Sequence, residues 1–257
     1  MLSLEHIYKT YNIGTINETC IFEDFNLAIE DGEFVSVVGS NGSGKTSLLN
    51  IICGTIDVDS GNTLINGVDI TRMDDFKRYR KIGRVYQNPA MGSCSEMTIL
   101  ENLSMADNKG KSFNLKPGTD KRRIDFYRDN LRQLGLGLED KLNATVGSLS
   151  GGQRQALALL MSTMTPIEFL ILDEHTASLD PKVAETIMEL TDRIVRDKGV
   201  TTIMVTHNLR YATSYGSRLI MMHEGKIILD IKGDEKSRTT IEDLLGIFNR
   251  ISIECGN

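Results

Sequence analysis

Residues 34–53 read FVSVVGSNGSGKTSLLNIIC, and the stretch has three parts. Residues 34–38 are a short apolar run rich in β-branched side chains, the pattern of a buried strand. Glycines interrupt it. From Thr46 onward Leu48, Leu49, Ile51 and Ile52 recur as one face of a helix. Strand, glycine-rich turn and helix in that order open an α/β unit with parallel strands. The turn itself, Gly39-Ser40-Asn41-Gly42-Ser43-Gly44-Lys45-Thr46, fits GxxxxGK[ST] at every position and stands in the context the pattern requires. Its glycines let backbone N–H groups curl around phosphate oxygens where a Cβ would clash. The helix N-terminus adds partial positive charge. Lys45 is expected at the β/γ-phosphates, Thr46 as a hydroxyl ligand to Mg²⁺, and Ser47 at the α-phosphate. The alternative, a glycine-rich βα turn with a chance lysine, has to explain the whole pattern in its proper place.

Outward from this turn, residues 2–66 read mostly as strands. A middle section is helical in pattern at 98–106, 120–134 and 151–164, with a polar Gly/Pro loop at 107–118, DNKGKSFNLKPG. The β/α alternation then resumes: a strand at 168–173, a helix at 181–198, a strand at 200–206 and a short helix near 208–215. Strands at 218–222 and 226–231 flank the turn Glu224-Gly225, and 240–249 is amphipathic and helical.

Residues 169–174, FLILDE, place two acids at the end of an apolar strand. In α/β folds the C-terminal ends of the strands are where ligands bind. Alone, such a pattern is often only a helix cap or a loop start. After a phosphate loop it supplies the second half of a nucleoside triphosphate site: Asp173 holds Mg²⁺, usually through water, and Glu174 polarises the attacking water as general base.

Leu149-Ser150-Gly151-Gly152-Gln153 narrows the reading further. Ser150 and Gln153 have the spacing of a capping box that opens the helix at 151–164, and a capped helix start with two glycines is also an anion site. The pentapeptide resembles the signature motif of the ATP-binding cassette (ABC) ATPases, and most of the chain, from Tyr11 to about Ile231, carries that family's motifs in order. The resemblance implies that Ser150, Gly151, Gly152 and Gln153 touch the γ-phosphate of ATP bound by a second copy, so that two copies form a head-to-tail dimer with two shared sites. It likens Gln87, in Val85-Tyr86-Gln87-Asn88-Pro89, to the glutamine that contacts Mg²⁺ and water and senses the membrane partner. Asp180, in Ser178-Leu179-Asp180, is similar to the interface aspartate of the family, and suits equally a helix N-cap followed by Pro181. His207 resembles the switch histidine at the γ-phosphate. Tyr11 resembles the aromatic residue that stacks on adenine, with Tyr8 as the alternative. His175 departs from the proline that many members carry after the glutamate.

The fold this implies is α/β, a P-loop NTPase of ABC type: a mixed core sheet, an antiparallel β subdomain and an inserted helical subdomain. The domain is a single one over 1–257, with the nucleotide core and β subdomain at 1–94 and 165–257 and the helical subdomain at 95–164. His175, the Pro-Gly loop at 117–118 and residues 134–140 are also similar to a subgroup of bacterial importer ATPases associated with aromatic amino acids. The function implied is the ATP-hydrolysing subunit of a transporter, with ATP and Mg²⁺ as ligands. Its partners would be a second copy, an integral-membrane permease and, through the permease, an extracellular substrate-binding protein. Its place would be the cytoplasmic face of the membrane. An exporter ATPase, or a soluble ABC machine such as one for iron–sulfur assembly, is the other reading. The interval of 63 from Gln87 to Ser150 is too short for the long coiled coils of DNA-repair relatives.

Composition bounds the rest. The chain has 257 residues, 29 Lys and Arg against 35 Asp and Glu, and a net charge of −6. That balance argues against nucleic acid as the main partner. Locally, residues 104–132 carry eight Lys or Arg against four Asp, a solvated helix face or a surface near anionic lipid headgroups. The four cysteines, Cys20, Cys53, Cys94 and Cys255, form no CxxC pair and fit a reducing compartment. The four histidines show no metal-ligand spacing. No targeting segment is visible, and the apolar runs fall far below the ~18 residues of a membrane helix, which predicts a chain soluble by itself.

Overall fold

The computed structural model describes residues 1–111 and 117–254. The elements in chain order are β1 (Leu2–Tyr11), β2 (Thr19–Ile29), β3 (Phe34–Gly39), α1 (Lys45–Cys53), β4 (Ser60–Ile65), β5 (Val68–Asp69), α2 (Asp75–Arg78), β6 (Ile82–Val85), α3 (Ile99–Asp107), α4 (Ile124–Arg132), α5 (Gly151–Thr163), β7 (Phe169–Asp173), α6 (Pro181–Lys198), β8 (Thr201–Val205), α7 (Leu209–Ser214), β9 (Arg218–His223), β10 (Lys226–Lys232), α8 (Gly233–Arg238) and α9 (Ile241–Glu254). They fall into two compact units, Met1–Met73 with Thr201–Asn257, and Asp74–Val200.

In the first unit β1 lies between β2 and β4, antiparallel to both, and β5 extends this sheet as a hairpin from β4. A second group of strands is mixed: β3 runs parallel to β8 on one side and β9 on the other, while β10 returns antiparallel to β9. Every residue of β3 is buried, as expected of a central parallel strand covered on both faces. The helix that follows buries Leu48, Leu49, Ile51 and Ile52, each at most 1% exposed. At roughly 1.5–3 kcal/mol per side chain, that face fixes α1 against the sheet and so fixes the turn that precedes it. The end of the chain packs on the same unit, where Leu244 of α9 joins Val38, Ala212, Leu219, Met221 and Ile231 in one apolar cluster.

The second unit is mainly helical, with β6 and β7 paired in parallel, Val85 opposite Leu172. Two helices open on capping boxes, α3 at Thr98 with Glu101 and α5 at Ser150 with Gln153. The helix expected over 120–134 is shorter. Asp120 accepts from the Arg122 amide at 3.0 Å and holds Lys121–Arg123 as a 3₁₀ turn, so α4 begins only at Ile124. An acid bonded to its own neighbouring backbone competes with the α-helix in this way. Tyr127 and Leu131 form the buried face of α4, and Tyr127 Oη donates to Asp107 Oδ2 at 3.1 Å.

Other departures from the sequence reading lie in the last fifty residues. No helix is expected over GDEKSR, yet α8 forms there. It has no apolar face; Lys236 is buried instead and donates to the carbonyls of Tyr215 and Gly216. Burial pushes the Lys236 ammonium down to about 8. The closing helix α9 also runs further than 249. Among the described residues Cys20, Cys53 and Cys94 are free thiols, while Cys255 and residues 112–116 of the polar loop lie outside them. No helix among the described residues is long and apolar enough to cross a membrane.

Candidate functional site

In the first unit the turn between β3 and α1 is built as the sequence predicts. Gly39 closes the strand where a Cβ would stand 2.3 Å from the Met222 carbonyl oxygen and 2.7 Å from Ser43 Oγ. Gly44 is the N-cap of α1 at φ 98°, and no side chain caps the helix. A nine-residue helix therefore opens with its positive dipole end and first-turn amides at the turn, without a capping side chain from its N-cap residue. Lys45 is buried, and its ammonium is folded into the turn, donating to Gly39 O at 2.9 Å, Ser40 O at 2.8 Å and Ser43 Oγ at 3.3 Å. Thr46 is exposed at the helix start, and Ser47 Oγ accepts from Tyr11 Oη at 3.3 Å. This contact brings Tyr11 to the phosphate turn; Tyr8 is 41% exposed. Lys9 sits 5.5 Å from the Tyr11 ring centroid.

His207 follows β8 and is exposed. It shares a cleft of about 310 Å³ with Gly39, Ser40, Asn41 and Thr206, so His207 and the start of the glycine-rich turn meet in one concavity. Leu245 and Phe248 of α9 line the same cleft. The sequence reading treats the chain end only as a closing helix.

A second feature absent from the sequence reading is the β9–β10 turn. Gly225 donates its amide to Ser43 O at 3.1 Å, and Ser40 Oγ lies 3.3 Å from His223 Nδ1. Gly225 has φ 73°, and a Cβ there would stand 1.7 Å from Ile21 O. The pair Glu224-Gly225 is legible as a turn. Its contact with the phosphate loop follows only from the pairing of β3 with β9.

In the second unit β7 ends on Asp173, whose Oδ2 accepts from Arg84 Nη2 at 2.7 Å, the two side chains being 16% and 6% exposed. The Arg84 guanidinium also lies 4.7 Å from the Tyr86 ring centroid. Glu174 comes next with φ 47°. His175 is 1% exposed, and its Nε2 is 3.1 Å from Thr191 Oγ1 on α6. Burial pushes this imidazole down to about 4, so it is neutral.

Gln87 is exposed just past β6, and its carbonyl accepts from Ser178 Oγ at 3.2 Å. One residue earlier the Tyr86 carbonyl accepts from Gln155 Nε2 of α5 at 3.1 Å. The segment after β6 is thereby tied both to the helix of the signature and to the loop before α6. Asp180 is the N-cap of α6, accepting from the Val183 amide at 3.2 Å, with Pro181 as the first helical residue. Ser150 and Gln153 exchange both hydrogen bonds of their box, at 3.3 and 3.2 Å. The second signature glycine has a packing reason as well: a Cβ on Gly152 would stand 2.3 Å from Val183 Cγ1.

Chemically, the first unit offers an uncapped helix end, a buried ammonium, a hydroxyl and an imidazole, which suits a polyphosphate. The second offers a carboxylate pair at a strand end and a capped, glycine-opened helix. The ABC transporter family profile matches residues 22–177. The chain is 46% identical over 248 residues to a tyrosine transport ATP-binding protein of Clostridioides difficile (strain R20291), covering 96% of this chain and 98% of that one. It is 33% identical over 258 residues to the ABC transporter ATP-binding protein YxdL of Bacillus subtilis (strain 168), covering 98% and 94%. Among solved structures it is similar to a dimeric ATP-binding cassette in a post-hydrolysis state bound to ADP and Pi, with a TM-score of 0.76, 30% identity, and coverage of 90% of this chain and 98% of the other.

Proposed function

The chain belongs to the ABC transporter family as an ATP-binding, ATP-hydrolysing subunit that uses Mg²⁺, and from that premise we propose that it drives solute import, of an amino acid, through a separate membrane permease. Two copies close head to tail on ATP, and hydrolysis loosens them. The ATPase sits at the cytoplasmic face of the membrane, held there by the permease, and an extracellular binding protein delivers the solute. The likeness to a tyrosine transport ATPase over nearly the full length of both chains supports the amino-acid reading.

The residues divide the chemistry as follows. Gly39, Ser40, Asn41, Gly42, Ser43 and Gly44, together with the first-turn amides of α1, bind the phosphates of ATP, and the Lys45 ammonium leaves its loop carbonyls for the β/γ-phosphates. Ser47 takes the α-phosphate, and Tyr11 stacks on adenine. Thr46, Asp173 and Gln87 would hold Mg²⁺. The Asp173 carboxylate at the end of β7, still partly exposed, and the exposed Thr46 fit that role. When bound, the ion neutralises charge on the phosphate oxygens. Glu174 takes a proton from the attacking water as general base, and His207 donates to the γ-phosphate. Ser150, Gly151, Gly152 and Gln153 of the second copy approach the same phosphate, with Asp180 at the interface between copies.

The observation that carries this reading is the phosphate turn: a buried lysine folded into a glycine loop at the uncapped end of α1. Gentle affinity purification from solubilised membranes tests the transport assignment. Recovery of a multi-span permease with the chain is the expected result. A complex made only of soluble proteins would overturn it in favour of a non-transport ABC machine.

A further inference from the structure

Glu174 adopts φ 47°, a left-handed conformation that side chains other than glycine rarely take. Strain of this kind persists only where the surroundings over-determine it. The residues on either side of Glu174 are both anchored through their side chains. Asp173 is held by Arg84 at 2.7 Å. His175 is held by Thr191 at 3.1 Å. The Ala177 amide then donates to Glu174 O at 2.9 Å and closes the turn.

The anchor on the His175 side is specific in its proton arrangement. Thr191 is fully buried within α6, and its hydroxyl donates to Ile187 O at 2.7 Å. A hydroxyl has one proton. With that proton committed to Ile187, Thr191 Oγ1 is an acceptor toward the imidazole, and His175 must donate from Nε2. The ring therefore donates from Nε2 to Thr191 and is held in one orientation, with its acceptor on a long helix. Apolar packing alone could fill this volume, but it would not fix the direction of the ring.

We infer that His175, held by Thr191, is a positioning residue that keeps Glu174 in its left-handed turn and thereby aims the carboxylate for catalysis. The inference rests on Glu174 being the general base. His175 is buried against α6 and acts through the backbone of the residue before it. Misplacing a reacting group by about 1 Å costs roughly 100-fold in rate, so a modest relaxation of the turn is enough to be read in turnover.

The test measures ATP turnover, KM, affinity for a fluorescent nucleotide and Tm for the full chain. The variants are His175→Ala, His175→Gln, Thr191→Val, Glu174→Gln and the double variant His175→Ala/Glu174→Gln. His175→Ala should lower kcat about tenfold or more while nucleotide affinity stays within about twofold, because the phosphate turn is not involved. His175→Gln, which carries an N–H at a similar reach, should recover most of kcat. In the Glu174→Gln background the alanine should change the residual rate less than about twofold, since residues acting as one unit are not additive. Thr191→Val removes the acceptor with little change of volume and should reproduce the alanine effect if His175→Ala fails to fold. An unchanged kcat in folded His175→Ala or Thr191→Val overturns the inference, as does an equal loss in the presence and absence of Glu174. Full turnover by Glu174→Gln alone would instead overturn the general-base assignment, whatever the histidine variants do.

Discussion

Arg84 donates through Nη2 to Asp173 Oδ2 at 2.7 Å and so joins the ends of two parallel strands, β6 and β7. The pair is largely buried, with 6% and 16% of the side chains exposed. Removing one partner of such a pair leaves a charge with reduced hydration, which costs about 3–5 kcal/mol when burial is complete. Asp173 keeps some contact with water, so Arg84→Met should lose about 3 kcal/mol, the lower end of that range. Mg²⁺ with nucleotide brings a replacement cation to Asp173 and should shrink the deficit. Urea unfolding with and without Mg²⁺ and a non-hydrolysable nucleotide measures both numbers. A loss of only ~0.5 kcal/mol would class the pair with surface ion pairs.

The β9–β10 turn offers a second handle. Gly225 donates to Ser43 O, holds φ 73° and lies where a Cβ would meet Ile21 O at 1.7 Å. Gly225→Ala must move the turn, at a cost of about 2 kcal/mol or more from backbone strain and displaced packing. Because the turn supports the phosphate loop, nucleotide affinity should fall by about tenfold as well, the equivalent of roughly 1.4 kcal/mol. Calorimetric titration on the folded fraction separates the two. Affinity retained at full strength would mean that Ser43 is held without this contact.

These two contacts show what the sequence carries and what it withholds. The turn from Gly39 to Thr46, the buried face of α1, the acids ending β7, the box of Ser150 with Gln153, and His207 after β8 are all legible because each depends on residues within a few positions. Strand periodicity, capping spacing and a glycine pattern are local properties. Arg84 with Asp173 and Gly225 with Ser43 are not local: each exists only once particular strands pair in a particular register. The helix α8 escapes notice for another reason. It buries the stem of Lys236 and satisfies the ammonium with two carbonyls, so no apolar period marks it. His175 is visible as a departure from proline, but its bond to Thr191 requires knowing which turn of α6 faces β7.

Ser150 has two duties that substitution can separate. As the N-cap of α5 it accepts from the Gln153 amide at 3.3 Å. Serine to alanine at an N-cap costs about 1 kcal/mol, and serine to glycine only a few tenths. Ser150→Gly should therefore leave Tm nearly unchanged and nucleotide binding by the single copy intact. If Ser150 also reaches the γ-phosphate of a second copy, ATP-driven dimerisation should drop at least tenfold in the same variant. Sedimentation of the chain with ATP, in a Glu174→Gln background to prevent turnover, reads this directly. Undiminished dimerisation in Ser150→Gly would confine Ser150 to its cap.

Lys45 and Glu174 are predicted to fail in opposite ways, and the contrast is the sharpest test of the site. The Lys45 ammonium donates to two loop carbonyls and to Ser43 Oγ, all of which belong to the turn itself. Lys45→Ala removes a charge-assisted contact to the phosphates. Binding should weaken by about tenfold or more, in line with roughly 1.5–3 kcal/mol for a hydrogen bond to a charged group. Glu174 stands on a different element, past the end of β7, and in the proposed mechanism meets only the attacking water. Glu174→Gln keeps the size of the side chain and loses the ability to take a proton, so ATP affinity should hold while kcat falls by about 100- to 10,000-fold, the range for a general base. A chain that binds ATP without turning it over should accumulate as the ATP-bound dimer. Equilibrium binding, steady-state phosphate release and sedimentation on the two variants together give four expected outcomes: weak binding for Lys45→Ala, tight binding for Glu174→Gln, and for the latter turnover reduced to a small residual rate and a trapped dimer. Rapid hydrolysis by Glu174→Gln would remove Glu174 from the chemistry, and unchanged affinity in Lys45→Ala would remove Lys45 from the phosphates.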